Sequence, residues 1–252
     1  MIGLVIVSHS PRLAEAAVEL ALQMVHGSIP AIRIAAGVEG RFGTDAAAVA
    51  AAIDEVAGDH GVLVITDLGS AVLSAGLALE LRESSAEVIV SGGPFVEGVT
   101  AALVLAATGA PLAEVAREAS AALDAKLAQL EPLQEPTAAT GATDATDETA
   151  APVAPDPHSA DEVLINPEGL HARPAAMFVQ AVGGYDAVVD VTNLTTGTGP
   201  VTAKSLIGLL SLGAKQGHRI RLDGQGPDAA TAVGALRRLL ADGFGEGTPA
   251  RS

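Results

Sequence analysis

Cysteine and tryptophan are absent from the 252 residues, aromatics amount to 2%, and Lys and Arg number 14 against 30 acids. Without Cys there is no disulfide, no thiolate nucleophile and no cysteine zinc site. With so few aromatics, any core has to be assembled from Ala, Val, Leu and Ile, the bulk of a 49% apolar fraction. The formal charge of −16 repels a phosphate backbone or an anionic membrane, so nucleic acid is a poor partner. Long apolar runs are missing too. The first one, Ile2–Val7, follows no basic segment and is far too short to cross a bilayer, which leaves a soluble cytoplasmic protein without membrane insertion as the expectation. The length allows one or two domains.

Composition breaks at 131–160, where five Pro, repeated Thr and Ala, and six acids with no Lys or Arg replace periodic sequence. That segment reads as a flexible acidic linker with an r.m.s. reach of roughly 30 Å. Six Lys/Arg face 15 acids in 1–130, a net −9, whereas eight face nine in 161–252, a net −1. In 1–130 β-branched runs alternate with Ala/Leu stretches. Ile2–Val7, Ala31–Ala35, Gly61–Thr66 and Glu87–Val90 are predicted strands. Pro11–Val25, Thr44–Ala57, Ser70–Leu81, Val96–Ala107 and Leu112–Leu130 are predicted helices. Such alternation means a doubly wound α/β fold with a mostly parallel sheet, whose chemistry gathers beyond the carboxyl ends of the strands. Residues 161–245 instead read βαββαβα, an α+β open-faced sandwich. Its strands are Glu162–Ile165, Ala187–Thr192, Pro200–Ala203 and Arg219–Asp223, its helices His171–Val182, Lys204–Leu212 and Asp228–Leu240, and residues 246–252 form a tail.

In Asn166-Pro-Glu-Gly-Leu-His171-Ala-Arg-Pro-Ala-Ala176 a histidine stands immediately before a helix opened by Pro174. Free N–H groups of the first turn, from Ala172 onward, together with Arg173 suit an anion attached to His171, and the same positive field favours a neutral, nucleophilic ring. A plain helix cap is the alternative. The run Gly169-Leu-His-Ala-Arg-Pro-Ala175 closely resembles the active-site signature of HPr, the histidine phosphocarrier of the phosphoenolpyruvate-dependent phosphotransferase system. Ala203–Gly213 is similar to that family's second helix. The resemblance implies that His171 is phosphorylated and that Arg173 holds the phosphoryl group. It further implies that Leu206, Leu209 and Leu210 meet partners and that Ser205 matches a regulatory phosphoserine, although a Ser there is also an ordinary cap.

Near the N-terminus, Ser8-His9-Ser10-Pro11 closes the first strand, and Thr66-Asp67-Leu68-Gly69-Ser70 closes the third. Brought into one crevice, His9 would receive a phosphoryl group while Asp67 fixes its tautomer, with Ser8, Ser10, Thr66, Gly69 and Ser70 around the oxygens. A hydrolase triad ranks lower, because Ser8 and His9 are sequence neighbours and no Gly-x-Ser-x-Gly elbow is present. His26, His60, His158 and His218 show no metal-ligand spacing, so no metal is expected, and no phosphate-binding glycine pattern supports a directly bound nucleotide.

With Pro94-Phe-Val-Glu-Gly98 added, these motifs resemble the mannose-type EIIA domains, in particular the DhaM family of phosphotransferase subunits of dihydroxyacetone kinase. That likeness implies phosphorylation of His9 with Asp67 in support, a homodimer through 1–130, and partners in a separately supplied Enzyme I and an ADP-binding kinase subunit (DhaL) working with a substrate-binding subunit (DhaK). ADP and ATP would stay on the partner, with no cofactor bound here beyond the two phosphoryl groups derived from phosphoenolpyruvate. A mannose-type transporter component and a phosphorylation-dependent regulatory module are the alternative readings.

Overall fold

The computed structural model describes residues 1–25, 27–124, 126–127, 130 and 158–246. Four parallel strands, β1 (Gly3–Ser8), β2 (Ile32–Ala36), β3 (Val62–Thr66) and β4 (Val88–Ser91), lie in the order β2-β1-β3-β4. Alternation along β1 and β3 decides which helices each face meets. Leu4, Ile6, Leu63 and Ile65 pack with α1 (Pro11–Leu22), α4 (Phe95–Ala107) and α5 (Leu112–Ser120), whereas Val5, Val7, Val62 and Val64 pack with α2 (Ala46–Val56) and α3 (Gly69–Leu81). Alanines carry much of the helical side of both layers, including Ala14, Ala17, Ala101, Ala102, Ala71 and Ala75. Small side chains let helix and sheet approach closely, and each buried Ile or Leu adds about 1.5–3 kcal/mol. From β1 the chain turns to β2 on one side, and β3 flanks β1 on the other. A crevice therefore opens above the carboxyl end of β1.

The second unit is a four-stranded antiparallel sheet of β5 (Ser159–Val163), β6 (Val188–Asn193), β7 (Thr198–Thr202) and β8 (Arg219–Gln225) in the order β5-β8-β6-β7. Val189, Val191, Ile220 and Leu222 are buried on the face that meets α6 (Ala172–Gly183), α7 (Leu206–Ser211) and α8 (Ala229–Ala241). Phe178 and Phe244 close one end with ring centroids 5.6 Å apart. Gly197 at φ +76° and Gly199 at φ +110° supply the left-handed residues that the β6–β7 hairpin needs.

Boundaries differ from the sequence reading at several elements, most of all at β5 and α5. β5 starts at Ser159, inside the segment read as linker, because Ser159 Oγ donates to Asp223 Oδ1 (2.7 Å) and the Gly224 N–H bonds the His158 carbonyl (2.6 Å). Residues 131–157 of that linker lie outside the described residues, as does His26. α5 stops at Ser120 instead of running to Leu130. A turn over 121–123 interrupts it, and helical backbone resumes at Asp124, Lys126, Leu127 and Leu130. The buried residues of the two units form one continuous apolar cluster.

Candidate functional site

His9 stands one residue past β1 and Asp67 one past β3, and the register Val7↔Thr66 sets Asp67 beside Ser8 with His9 one residue on. Asp67 then binds the whole turn. Its Oδ2 accepts the His9 backbone N–H (2.8 Å) and the Ser8 hydroxyl (2.9 Å), while Oδ1 takes the Leu68 N–H (2.7 Å) and faces His9 Nδ1 at 2.9 Å. Burial pushes this carboxyl up, but the bonds from the His9 backbone and ring, Ser8 and Leu68 outweigh it and hold Asp67 below the usual carboxylate range. An ionised Asp67 makes Nδ1 the protonated nitrogen. Nε2 is left with its lone pair, 2.8 Å from the Ser70 hydroxyl, which donates to it.

The neighbouring candidates have defined places. Ser8 is fully buried and accepts the Ser10 N–H at 3.0 Å besides serving Asp67. Ser10 caps α1 by accepting the Leu13 N–H at 3.3 Å. Both hydroxyls expected around the phosphoryl oxygens are thus engaged in building the turn, and Ser70 is the hydroxyl that reaches the ring. Thr66 is buried at the end of β3, and Gly69 opens α3 with free space where a side chain would stand.

The second histidine caps α6. Gly169 is at φ +69°, and a Cβ there would lie 2.3 Å from the Ala214 carbonyl oxygen, so only glycine turns the chain at this point. The Leu170 N–H bonds that carbonyl at 2.8 Å and fixes the approach to His171. His171 is half-buried, Arg173 is exposed in the first helical turn and joins no ion pair among the described residues, and Ala172 begins the run of N–H groups. His171 Nε2 meets Glu246 Oε1 at 2.9 Å, with Glu168 Oε2 farther off at 3.9 Å. Glu246 Oε2 in turn accepts from Asn166 Nδ2 at 3.0 Å, and the same amide donates to the Gly169 carbonyl at 2.6 Å. The carboxylate places a proton on Nε2 and leaves Nδ1 bare. Nothing local announces Glu246, which sits 75 residues downstream in what reads as a tail. Asn166 lies within the motif but shows its role only through Glu246.

Ser205 caps α7, accepting the Gly208 N–H at 2.8 Å, and its hydroxyl donates to Glu118 of α5 at 2.9 Å. Leu206 and Leu209, expected as partner-facing surface, are buried, and Leu210 is half-buried. They sit under the first unit's helices or within their own core. Among the described residues no group of three or more His, Asp or Glu is placed to hold a metal ion, and no helix is long and apolar enough to cross a membrane. His218 is a structural residue, its Nδ1 3.1 Å from Asn193 Nδ2.

Residues 3–116 match the family model described as the PTS system fructose IIA component, EIIA-man, and residues 159–242 match PTS HPr component phosphorylation site. A curated relative from Klebsiella michiganensis, named PEP-dependent dihydroxyacetone kinase, phosphoryl donor subunit DhaM, is 41% identical over 99% of this chain and 52% of its own. The protein of that name from Escherichia coli K12 is 40% identical over 98% of this chain and 51% of its own. The chain thus spans about half the length of the curated relatives it matches. The solved HPr-C-His of Thermoanaerobacter tengcongensis is 37% identical over 36% of this chain and 98% of its own, with a TM-score of 0.33.

Proposed function

We propose that this chain, whose residues 3–116 and 159–242 match the EIIA-man and HPr models and which resembles phosphoryl donor subunits of dihydroxyacetone kinase, relays a phosphoryl group from Enzyme I to His171, from His171 to His9, and from His9 to ADP on a partner kinase subunit. Residues 1–130 act as the EIIA unit, 131–160 as the linker and 161–245 as the carrier, in the cytoplasm, with 1–130 also forming a homodimer. The complementary tautomers of the two histidines carry this reading. Nδ1 of His171 is bare because Glu246 holds Nε2–H, and Nε2 of His9 is bare because Asp67 holds Nδ1–H.

Each step is then a balanced exchange. The P–N bond on His171 Nδ1 breaks as the His9 Nε2 lone pair forms a new one, and Asp67 stabilises the positive charge that the ring acquires. Little else is asked of the protein beyond in-line positioning and neutralisation of three oxygens. At His171 the first-turn N–H groups of α6 and Arg173 supply that neutralisation, and at His9 Ser70 and the backbone at the start of α3 do so. Ser70 must swing off Nε2 to admit phosphorus, after which its hydroxyl is placed to donate to a phosphoryl oxygen.

Peptide mass analysis at neutral to basic pH tests the relay, first after Enzyme I and phosphoenolpyruvate, then after an ADP-loaded kinase subunit. Phosphate on both histidines that disappears as bound ADP becomes ATP is the expected result. Phosphate that stays on His9 would point to a transporter IIB acceptor or a regulatory role, and an unlabelled His171 would remove the carrier assignment.

A further inference from the structure

Glu118 is 6% exposed, yet it belongs to neither histidine site. It projects from α5 of the first unit into the second, where both oxygens accept from the Ser205 hydroxyl (2.9 and 3.1 Å) and Oε1 also accepts the Ile207 backbone N–H (2.8 Å). Among the described residues, the carboxylate's hydrogen-bond partners all lie in the second unit. Burying an anion is costly unless its lone pairs are filled, and here the neighbouring unit fills them.

Around this contact the two units touch along α4. Gly183 of α6 approaches so closely that a Cβ would lie 2.6 Å from Thr108 Cβ, and Gln180 Nε2 donates to the Met24 carbonyl at 2.8 Å. Two clefts border the seam. One cavity of about 270 Å³ lies between Leu20, Met24, Val96, Ala172 and Leu206, and a second of about 180 Å³ between Leu105, Thr108, Val179 and Lys204. Both clefts open to solvent at the rim of the seam, so the apolar contact between the units is interrupted at its edges.

We infer that α5 and α4 form a docking surface whose occupant is the α6–α7 face of the same chain, latched by Glu118, and that the docked arrangement is a parked state of the carrier unit. Two observations make it parked rather than productive. The layer containing α1 and α4 stands between the sheet that carries His9 and the unit that carries His171, and a packed helix layer adds about 8–10 Å of separation. The attacking lone pair of His9 Nε2 is also covered by the Ser70 hydroxyl at 2.8 Å. The parking role rests on the relay proposed above, whereas the latch does not.

Hydrogen exchange by mass spectrometry on the full chain, without any phosphoryl donor, tests the latch. Glu118→Ala should speed exchange of the 205–211 amides at least ~10-fold, the scale of one lost charge-assisted bond, and enlarge the scattering radius of gyration. Glu118→Gln, which keeps an acceptor for the Ile207 N–H and a polar partner for Ser205, should stay near the wild type. Unchanged exchange in Glu118→Ala, or equal acceleration in both variants, overturns the latch, and so does acceleration in β1 and β3, which would mean that the carboxylate supports the first unit itself. Adding Enzyme I and phosphoenolpyruvate then reads the parking role, with faster labelling of His171 expected in Glu118→Ala. Equal labelling rates refute parking, whereas no labelling in either protein refutes the relay and leaves the docking intact.

Discussion

The Asp67 carboxylate is fully used: two backbone N–H groups, one hydroxyl and one ring nitrogen converge on its two oxygens. Asp67→Asn keeps the shape but turns one acceptor into a donor aimed at N–H or O–H groups. The expected outcome is a loss of about 1–3 kcal/mol in the first unit's stability, read by thermal or denaturant unfolding. The loss should vary with pH in one direction. Because the folded-state pKa lies below the unfolded value near 3.8, the Asp67 contribution is complete above that value and vanishes as pH falls through the folded one. Wild type and Asp67→Asn should therefore differ at pH 7 and converge below about pH 4, and a gap of constant size down to pH 2 would contradict the ionised network. His9 and Asp67 were legible in the sequence because strand ends in an alternating β/α chain converge on one edge. Glu246 and Glu118 were not. Their partners lie 75 and 87 or more residues away, and a lone acid in a tail or on a helix carries no periodic or local mark of what it will meet.

Helices and strands were legible wherever periodicity and punctuation agreed, as for α1, opened by Ser10 and Pro11, or the β6–β7 hairpin with its two glycines. They were misread where the matter is decided locally. The predicted helix to Leu130 breaks at a turn over 121–123 after Ser120, beyond which helical residues recur, so the leucine spacing marked helical chain but not its interruption. Ser159, bonded to Asp223, recruits linker-like sequence into β5. The loop that presents His171 shows how strongly one residue governs an element. At Gly169, Ala must accept φ near +69° and push against the Ala214 carbonyl that pins Leu170. Gly169→Ala should cost at least ~1–3 kcal/mol in strain alone. It should slow phosphorylation of His171 more than the drop in the second unit's melting temperature would suggest, since the displaced segment carries the histidine proposed as nucleophile. Unchanged labelling kinetics alongside an unchanged melt would show that the loop yields without strain.

At the scale of the molecule, two units of unequal charge share one seam, so on the proposed relay the route of the phosphoryl group depends on whether they are docked. On the proposed relay, a parked carrier does not hand its phosphate across an intervening helix layer, and transfer follows undocking, to the His9 of the same chain or of another. Mixing two dead chains separates these routes. His9→Ala still accepts phosphate at His171, whereas His171→Ala retains the acceptor but loses its donor. Neither alone should phosphorylate bound ADP. Together they should restore transfer, with an initial rate that grows with the product of the two concentrations, as required for a bimolecular encounter. Wild type should show this term plus one proportional to its own concentration, because the tether keeps the second unit at millimolar effective concentration once the seam opens. Glu118→Ala should enlarge the tethered term, since opening precedes it. A mixture that stays inactive at concentrations where wild type works would show instead that the phosphoryl group passes only within a chain, and the docked geometry would then have to open at every turnover.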